Sequence, residues 1–302
     1  MNIISGKELN EDAVKNIILT ALQLKEQGKN FKPFPTLSGK TIALYFEKPS
    51  LRTKVTFEIA IKKLGGECVY IDCQNSEMRK RESIKDLARN LSQWCDCIVA
   101  RVYDTKTIEE LIEYGNVPVI NALCNTYHPC QGLADFMTLY EESNSFKSLK
   151  LAYFGEPNNI SNTLKIFCNT LGWTFKGVCP KEVIKDNKFS KGFTSEINDV
   201  KDFDYGFTDS WVSMGDSTPL ELKVESYYPY QCNMELLNKT NIKHILHCQP
   251  AHRGYEITDE IMDVQSKEII DRESQNRLWT EMSLLLYVLN KKSAWQSTFS
   301  LL

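Results

Sequence analysis

Four short stretches carry residue types that could handle an anionic substrate, and each follows a run that reads as a β-strand. The first is Glu47-Lys48-Pro49-Ser50-Leu51-Arg52-Thr53-Lys54. Pro49 closes a turn and Ser50 is expected to cap a helix running through Phe57 and Leu64. A helix start of this kind aims backbone N–H groups and the positive end of the helix dipole at one spot. Ser50 and Thr53 add hydroxyls, and Arg52 adds a planar fork suited to phosphate oxygens. Taken alone, this loop could equally be an ordinary capped helix with solvated basic residues, because it is no glycine-rich P-loop. The second stretch ends in Arg101 after Ile98-Val99-Ala100, where burying a cation is costly without a partner. The third is His128-Pro129-Cys130-Gln131-Gly132-Leu133-Ala134-Asp135, and the fourth is His247-Cys248-Gln249-Pro250-Ala251-His252-Arg253-Gly254. Each puts an imidazole and an amide at the end of a strand. One of them could be a structural turn; four in the same setting argue for a site.

The elements that must position these residues follow from periodicity. β-rich runs at 41–46, 68–72, 97–101 and 117–121 alternate with helical patterns at 53–64, 83–94, 107–114 and 131–142. The pattern restarts with strands at 149–154 and 174–179 around a helix at 158–171, and further strands are expected at 205–208 and 244–247. Such alternation predicts an α/β protein of two domains, each a parallel sheet flanked by helices. In open α/β sheets ligands bind beyond the carboxyl ends of the strands, which is where the four stretches fall. The polar segment 143–148 marks the boundary. Residues 1–142, completed by a C-terminal helix within 274–302, are expected to form one domain and residues 143–273 the other, joined by interdomain helices. That last helix is amphipathic, with Leu278, Met282, Leu285 and Leu289 near one face.

Bulk properties exclude several classes of function. Hydrophobic residues make up 42% and charged residues 25%, ordinary for a globular protein. The net charge of -3 argues against nucleic acid or an anionic membrane as the main partner. No run of about 18 apolar residues exists to span a bilayer, and the N-terminus lacks the apolar run of a signal peptide. The 10 cysteines are scattered without a CxxC pair. They read as reduced, mostly buried thiols of a cytoplasmic protein rather than as zinc ligands.

Together the stretches resemble the aspartate/ornithine carbamoyltransferase family, and its ornithine type in particular. The ordered motifs are Ser50-x-Arg52-Thr53, Arg101, His128-Pro129-x-Gln131-x-Leu133-Ala134-Asp135, Asn158-Asn159, Asp209-x-Trp211-x-Ser213-Met214-Gly215, His247-Cys248-x-Pro250 and Asn276-Arg277-x-Trp279-Thr280. They run from about Leu37 to Tyr287. The resemblance implies transfer of a carbamoyl group from carbamoyl phosphate to the δ-amine of L-ornithine, with neither metal nor cofactor. It assigns Ser50, Leu51, Arg52, Thr53 and Arg101 to the phosphate, and His128 and Gln131 to the carbamoyl group. Cys248, Gln249 (through its backbone carbonyl) and Arg277 fall around the carbamoyl group and the incoming amine. Asn159, Asp209, Ser213 and Met214 fall to ornithine. Catalysis is expected to rest on Arg52, Arg101, His128, Cys248 and Arg277. The family also implies a homotrimer whose sites are completed by a loop of the neighbouring subunit.

The chain departs from the family pattern in three places. Leu51 stands where the family loop has threonine, a feature similar to relatives that use N-acylated ornithine. Glu77 stands where a glutamine is expected in the neighbour-reaching loop, and a carboxylate there would repel phosphate. Lys80 is then expected to supply the contact in trans while Glu77 points away. Gln249 replaces a leucine. Putrescine or an N-acylated ornithine as acceptor, or carbamoyl phosphate binding without turnover, are the alternatives these departures raise.

Overall fold

The computed structural model describes residues 1–28, 35–73, 81–212 and 218–290. The chain folds into two compact units, Met1–Leu133 with Asn276–Leu302, and Ala134–Gln275.

In the first unit, β1 (Thr41–Phe46), β2 (Glu67–Asp72), β3 (Cys97–Arg101) and β4 (Val119–Leu123) form a parallel sheet in the order β2-β1-β3-β4. Helices α1 (Glu11–Gly28), α2 (Arg52–Lys63), α3 (Ile84–Trp94) and α4 (Thr105–Tyr114) alternate with them. β1 and β3 are buried nearly end to end, as strands covered on both faces should be. Ala43, Tyr45, Ile98, Ala100, Ile108, Leu111 and Val119 belong to that core. The fourth strand begins two residues later than periodicity suggests. Pro118 has no N–H to give the ladder and contributes only its carbonyl, which accepts from Ile98 N at 2.9 Å.

In the second unit, β5 (Lys150–Phe154), β6 (Thr174–Val178), β7 (Phe193–Thr194), β8 (Tyr205–Thr208) and β9 (His244–His247) form a parallel sheet ordered β7-β6-β5-β8-β9. Around it run α6 (Asn159–Leu171), α7 (Lys181–Asp186), α8 (Leu220–Tyr227), α9 (Met234–Thr240) and α10 (Asp259–Gln265). Two helices, α5 (Pro129–Ser143) and α11 (Asp271–Val288), have residues in both units. The chain is thus an α/β protein of two parallel-sheet domains flanked by helices.

The sheet edges place the residues of interest. In-register pairing of Phe46 with Arg101 brings the ends of β1 and β3 level. Between Ala100 and Arg101 the pairing with β4 shifts register, the extra residue being Ala122 on β4. In the second unit Phe154, Thr208 and His247 are likewise level, so the segments that follow them emerge side by side.

Candidate active site

In the first unit the segment after β1 is fastened to the end of β3. Glu47 N donates to the Arg101 carbonyl at 2.8 Å, and its buried carboxylate accepts from Tyr103 N at 2.9 Å and Tyr45 Oη at 3.2 Å. Helix α2 then starts at Arg52, with Leu51 rather than Ser50 at the N-cap. Leu51 has helical dihedrals (φ -77°, ψ -61°) and its side chain makes no capping hydrogen bond. The helix start thus falls one residue after the Ser50 expected from sequence. Its first turn suits an anion.

Behind this turn Arg277 ties three elements together. Its Nη1 donates to Gln131 Oε1 at 2.8 Å, while Nη2 donates to Thr53 Oγ1 at 3.0 Å and lies 3.3 Å from Glu281 Oε1. All four side chains are buried. The Nε atoms of Arg101 and Arg277 are buried and have no hydrogen-bond partner among the described residues. Guanidiniums in such a setting call for an anion.

Charge states follow from the packing. Burial, then Arg277 and Arg101, hold the His128 imidazole well below its ordinary titration range, so the ring is neutral and keeps one N–H donor. Burial and repulsion from Arg277 lower Arg101 only to about 10, which leaves it charged. Lys48 is also buried; desolvation and Arg101 bring it down to about 8, and its ammonium lies 4.2 Å from the centre of the Tyr103 ring. Burial lifts the Glu281 carboxyl to about 7 against the pull of Arg277.

In the second unit Asp209 stands just past β8. Its Oδ2 accepts from Asn158 Nδ2 at 2.8 Å, and its Oδ1 accepts from Cys248 Sγ at 3.3 Å. Asn158 also caps α6, in a capping box with Ser161, so one side chain both starts the helix and aims the carboxylate. Gly155, at φ +120°, passes close to Trp211; a Cβ there would lie 3.2 Å from the indole. Lys223 holds the Trp211 carbonyl at 2.8 Å and pairs with Glu156 at 3.1 Å. Burial and the Asp209 carboxylate push the Cys248 thiol well above its usual range, so it is no ready thiolate.

Asp209, His247 and Cys248 bring potential ligand atoms within 4.8 Å of one another. His247 has both nitrogens engaged, however. Nδ1 accepts from Gln249 N at 2.9 Å, which puts the ring proton on Nε2, 3.2 Å from Glu256 Oε1. Two donors remain, fewer than a structural zinc site uses.

Comparison with known proteins matches this arrangement along the chain. The aspartate/ornithine carbamoyltransferase carbamoyl-P binding domain matches residues 1–141, and the Asp/Orn binding domain of the same family matches residues 147–288. The chain belongs to the aspartate/ornithine carbamoyltransferase family. It is 44% identical to an ornithine carbamoyltransferase of Moritella abyssi over 301 residues, 95% of this chain and 99% of that protein. The structure of ornithine carbamoyltransferase from Pyrococcus furiosus superposes with a TM-score of 0.86 at 36% identity, covering 96% of this chain and 97% of that one. An anabolic ornithine carbamoyltransferase from Campylobacter jejuni gives 0.87 at 29% identity, with 96% and 99% covered.

Of the residues that sequence singles out in this carbamoyltransferase, Thr53, Gln131 and Arg277 form one hydrogen-bonded cluster, and the charges of Arg101 and His128 are coupled to it. Asp209 and Cys248 meet in the second unit. Asn159 is the first residue of α6 and its carbonyl accepts from Thr163 Oγ1; the Asp209 contact belongs to its neighbour Asn158. Gln249 adopts the left-handed φ of +53° after His247. Leu51 is 75% exposed. Glu77, Lys80, Ser213 and Met214 lie outside the described residues. Lys48, Asn158 and Glu281 also belong to these clusters, although sequence reading assigns them no role. Lys48 lies within the first stretch and Asn158 within the Asn158-Asn159 motif, so both could have been found that way. Glu281, one helical turn after Arg277, carries only the i,i+4 spacing as a signal.

Proposed function

We propose that this chain transfers the carbamoyl group of carbamoyl phosphate to the δ-amine of L-ornithine, giving L-citrulline and phosphate in arginine metabolism. The observation that carries this reading is the pair of buried guanidinium Nε atoms, of Arg101 and Arg277, each without a partner among the described residues, beside the start of α2, whose N-cap Leu51 makes no side-chain hydrogen bond. Residues 1–142 with 274–302 act as the carbamoyl phosphate domain and residues 143–273 as the ornithine domain. Ser50, Leu51 (by its N–H), Arg52, Thr53 and Arg101 hold the phosphate. His128 and Gln131 orient the carbamoyl group, with the neutral imidazole donating to its oxygen. Arg277 and the Gln249 carbonyl flank it. As the neutral amine attacks, negative charge grows on that oxygen and on the departing phosphate, where fixed cations and donors stabilise it. The phosphate can accept the amine proton, so no protein base is required. Asp209, with Asn159, Ser213 and Met214, receives the amino-acid end of ornithine, and Cys248 lines the site without forming a covalent bond.

The chain acts as a cytoplasmic homotrimer in this reading, with Lys80 of a neighbouring subunit reaching the phosphate and Glu77 turned aside. Supporting the association is an apolar stripe on α2, where Leu51, Val55 and Ile59 recur every fourth residue and are 75%, 40% and 40% exposed. All 10 cysteines are free thiols, as a reducing compartment requires. Among the described residues, no helix is long and apolar enough to cross a membrane.

Radiolabelled carbamoyl phosphate supplied with ornithine, putrescine or N-acetylornithine tests the reading. Label is expected in citrulline only. Product from another amine would reassign the acceptor, and bound label without product from any amine would mark a non-catalytic binder.

A further inference from the structure

We propose that Glu281 is a proton-coupled positioning residue, which holds the Arg277 guanidinium in the phosphate cluster and takes up a proton when a phosphate oxyanion binds there. The inference rests on the phosphate-site reading above and deepens it. Glu281 sits on α11 one turn beyond Arg277, fully buried, with Oε1 3.3 Å from Nη2 and with Oε2 buried and unpartnered among the described residues. The same Nη2 donates to Thr53, a residue at the start of α2. A carboxylate thus stands one guanidinium away from where the phosphate reading puts two negative charges.

The groups that face it are few. Arg277 comes from its own helix, Thr53 and Thr56 from α2, and Gln131 from α5. Cys130 of α5 is within electrostatic reach, and burial with the nearby Glu281 charge raises its thiol. Beyond Arg277 stand Arg101 and the neutral His128. Arg277 is therefore the cation that keeps Glu281 ionised. A phosphate held at Thr53, next to this guanidinium, competes for its charge through space and repels the carboxylate, and both effects favour the protonated form of Glu281. With its carboxyl already lifted to about 7, Glu281 needs only a modest further rise to gain a proton at neutral pH. Once protonated it still offers a carbonyl oxygen to Nη2, so Arg277 keeps its orientation while the site gains one unit of positive charge.

Calorimetric titration with inorganic phosphate at pH 7, in buffers of different ionisation heat, counts the protons taken up. Glu281→Gln keeps the shape and an acceptor for Arg277 but cannot titrate. The expected result is an uptake larger in the unaltered protein by up to about half a proton, since a group titrating near the working pH is about half protonated beforehand. Protonation of phosphate itself is common to both proteins and cancels. Equal uptake by the two would overturn the inference while leaving the phosphate site standing. Absence of phosphate binding to the unaltered protein would overturn the site and the inference together. Should the variant fail to fold, the 13C resonance of the Glu281 carboxyl in the unaltered protein gives the same answer. Its titration midpoint is expected to rise on adding phosphate, and an unmoved midpoint would overturn the proposal.

Discussion

His128 and Glu281 both border Arg277, and burial favours the neutral form of each. Their effects on stability run in opposite directions. An imidazole held well below its ordinary 6.5 binds fewer protons folded than unfolded, so its contribution is present above 6.5 and is lost as pH falls. A carboxyl raised from 4.5 to about 7 binds more protons folded than unfolded. Its contribution is present below 4.5 and is lost as pH rises towards 7. Between these limits the two slopes, each up to about 1.4 kcal/mol per pH unit, offset one another. Urea midpoints measured against pH are expected to separate them. Relative to the unaltered protein, Glu281→Gln loses stability as pH drops from 7 towards 4.5, and His128→Asn loses it as pH climbs towards 6.5. Parallel curves for all three proteins would contradict these charge states. A different residue-scale prediction concerns Cys248, whose raised thiol disfavours the nucleophilic thiolate. Cys248→Ala is expected to keep citrulline formation within about 100-fold, whereas loss of a true covalent nucleophile costs on the order of a millionfold.

Helix starts are where the elements meet the chemistry, and the two main ones are built differently. Helix α6 is capped by Asn158, whose amide also donates to Asp209, so helix stability and the orientation of that carboxylate share one side chain. Asn158→Ala is expected to cost about 1 kcal/mol from the lost cap. It should also raise KM for ornithine well beyond any change in kcat, because Asp209 loses its fixed partner. Unchanged ornithine KM in a correctly folded variant would show that the carboxylate needs no such support. Helix α2, in contrast, has Leu51 at its N-cap, whose side chain makes no capping hydrogen bond. The strand–turn–helix order around this start was legible in sequence, because Pro49 and the β1 periodicity mark it. The exact start was not, because Ser50 looks like the capping position while the N-cap of the folded helix is Leu51.

Association is the question for the whole molecule. Leu51, Val55 and Ile59 expose a stripe along α2 and its N-cap, on the helix whose Thr53 bonds Arg277. A subunit packed on that stripe would lie next to the site, as completion in trans requires. Replacing Val55 and Ile59 together by glutamate is expected to shift the mass seen by light scattering from trimer to monomer and to lower the affinity for carbamoyl phosphate. A double variant that stays trimeric would place the interface elsewhere. An unaltered protein that is monomeric at working concentration would remove the need for Lys80 in trans.

Sequence by itself determined the two parallel sheets and the strand ends on which the reactive residues sit. Buried strands must be apolar and helices amphipathic, and both periods survive in the one-dimensional record. It also determined the family, because Arg101, His128, Asp209, Cys248 and Arg277 occur in motifs of fixed order. Tertiary structure alone decided which side chains share an environment. Arg277 and Thr53 are 224 positions apart, yet they lie 3.0 Å from each other, and nothing local encodes that meeting. Charge state depends on the same packing. Glu281 looks like one more solvated carboxylate on an amphipathic helix until α2 and α5 enclose it and a guanidinium becomes its main source of charge compensation. Burial is a property of neighbours distant in sequence, so the titration of His128, Lys48, Cys248 and Glu281 could be read only from the folded chain.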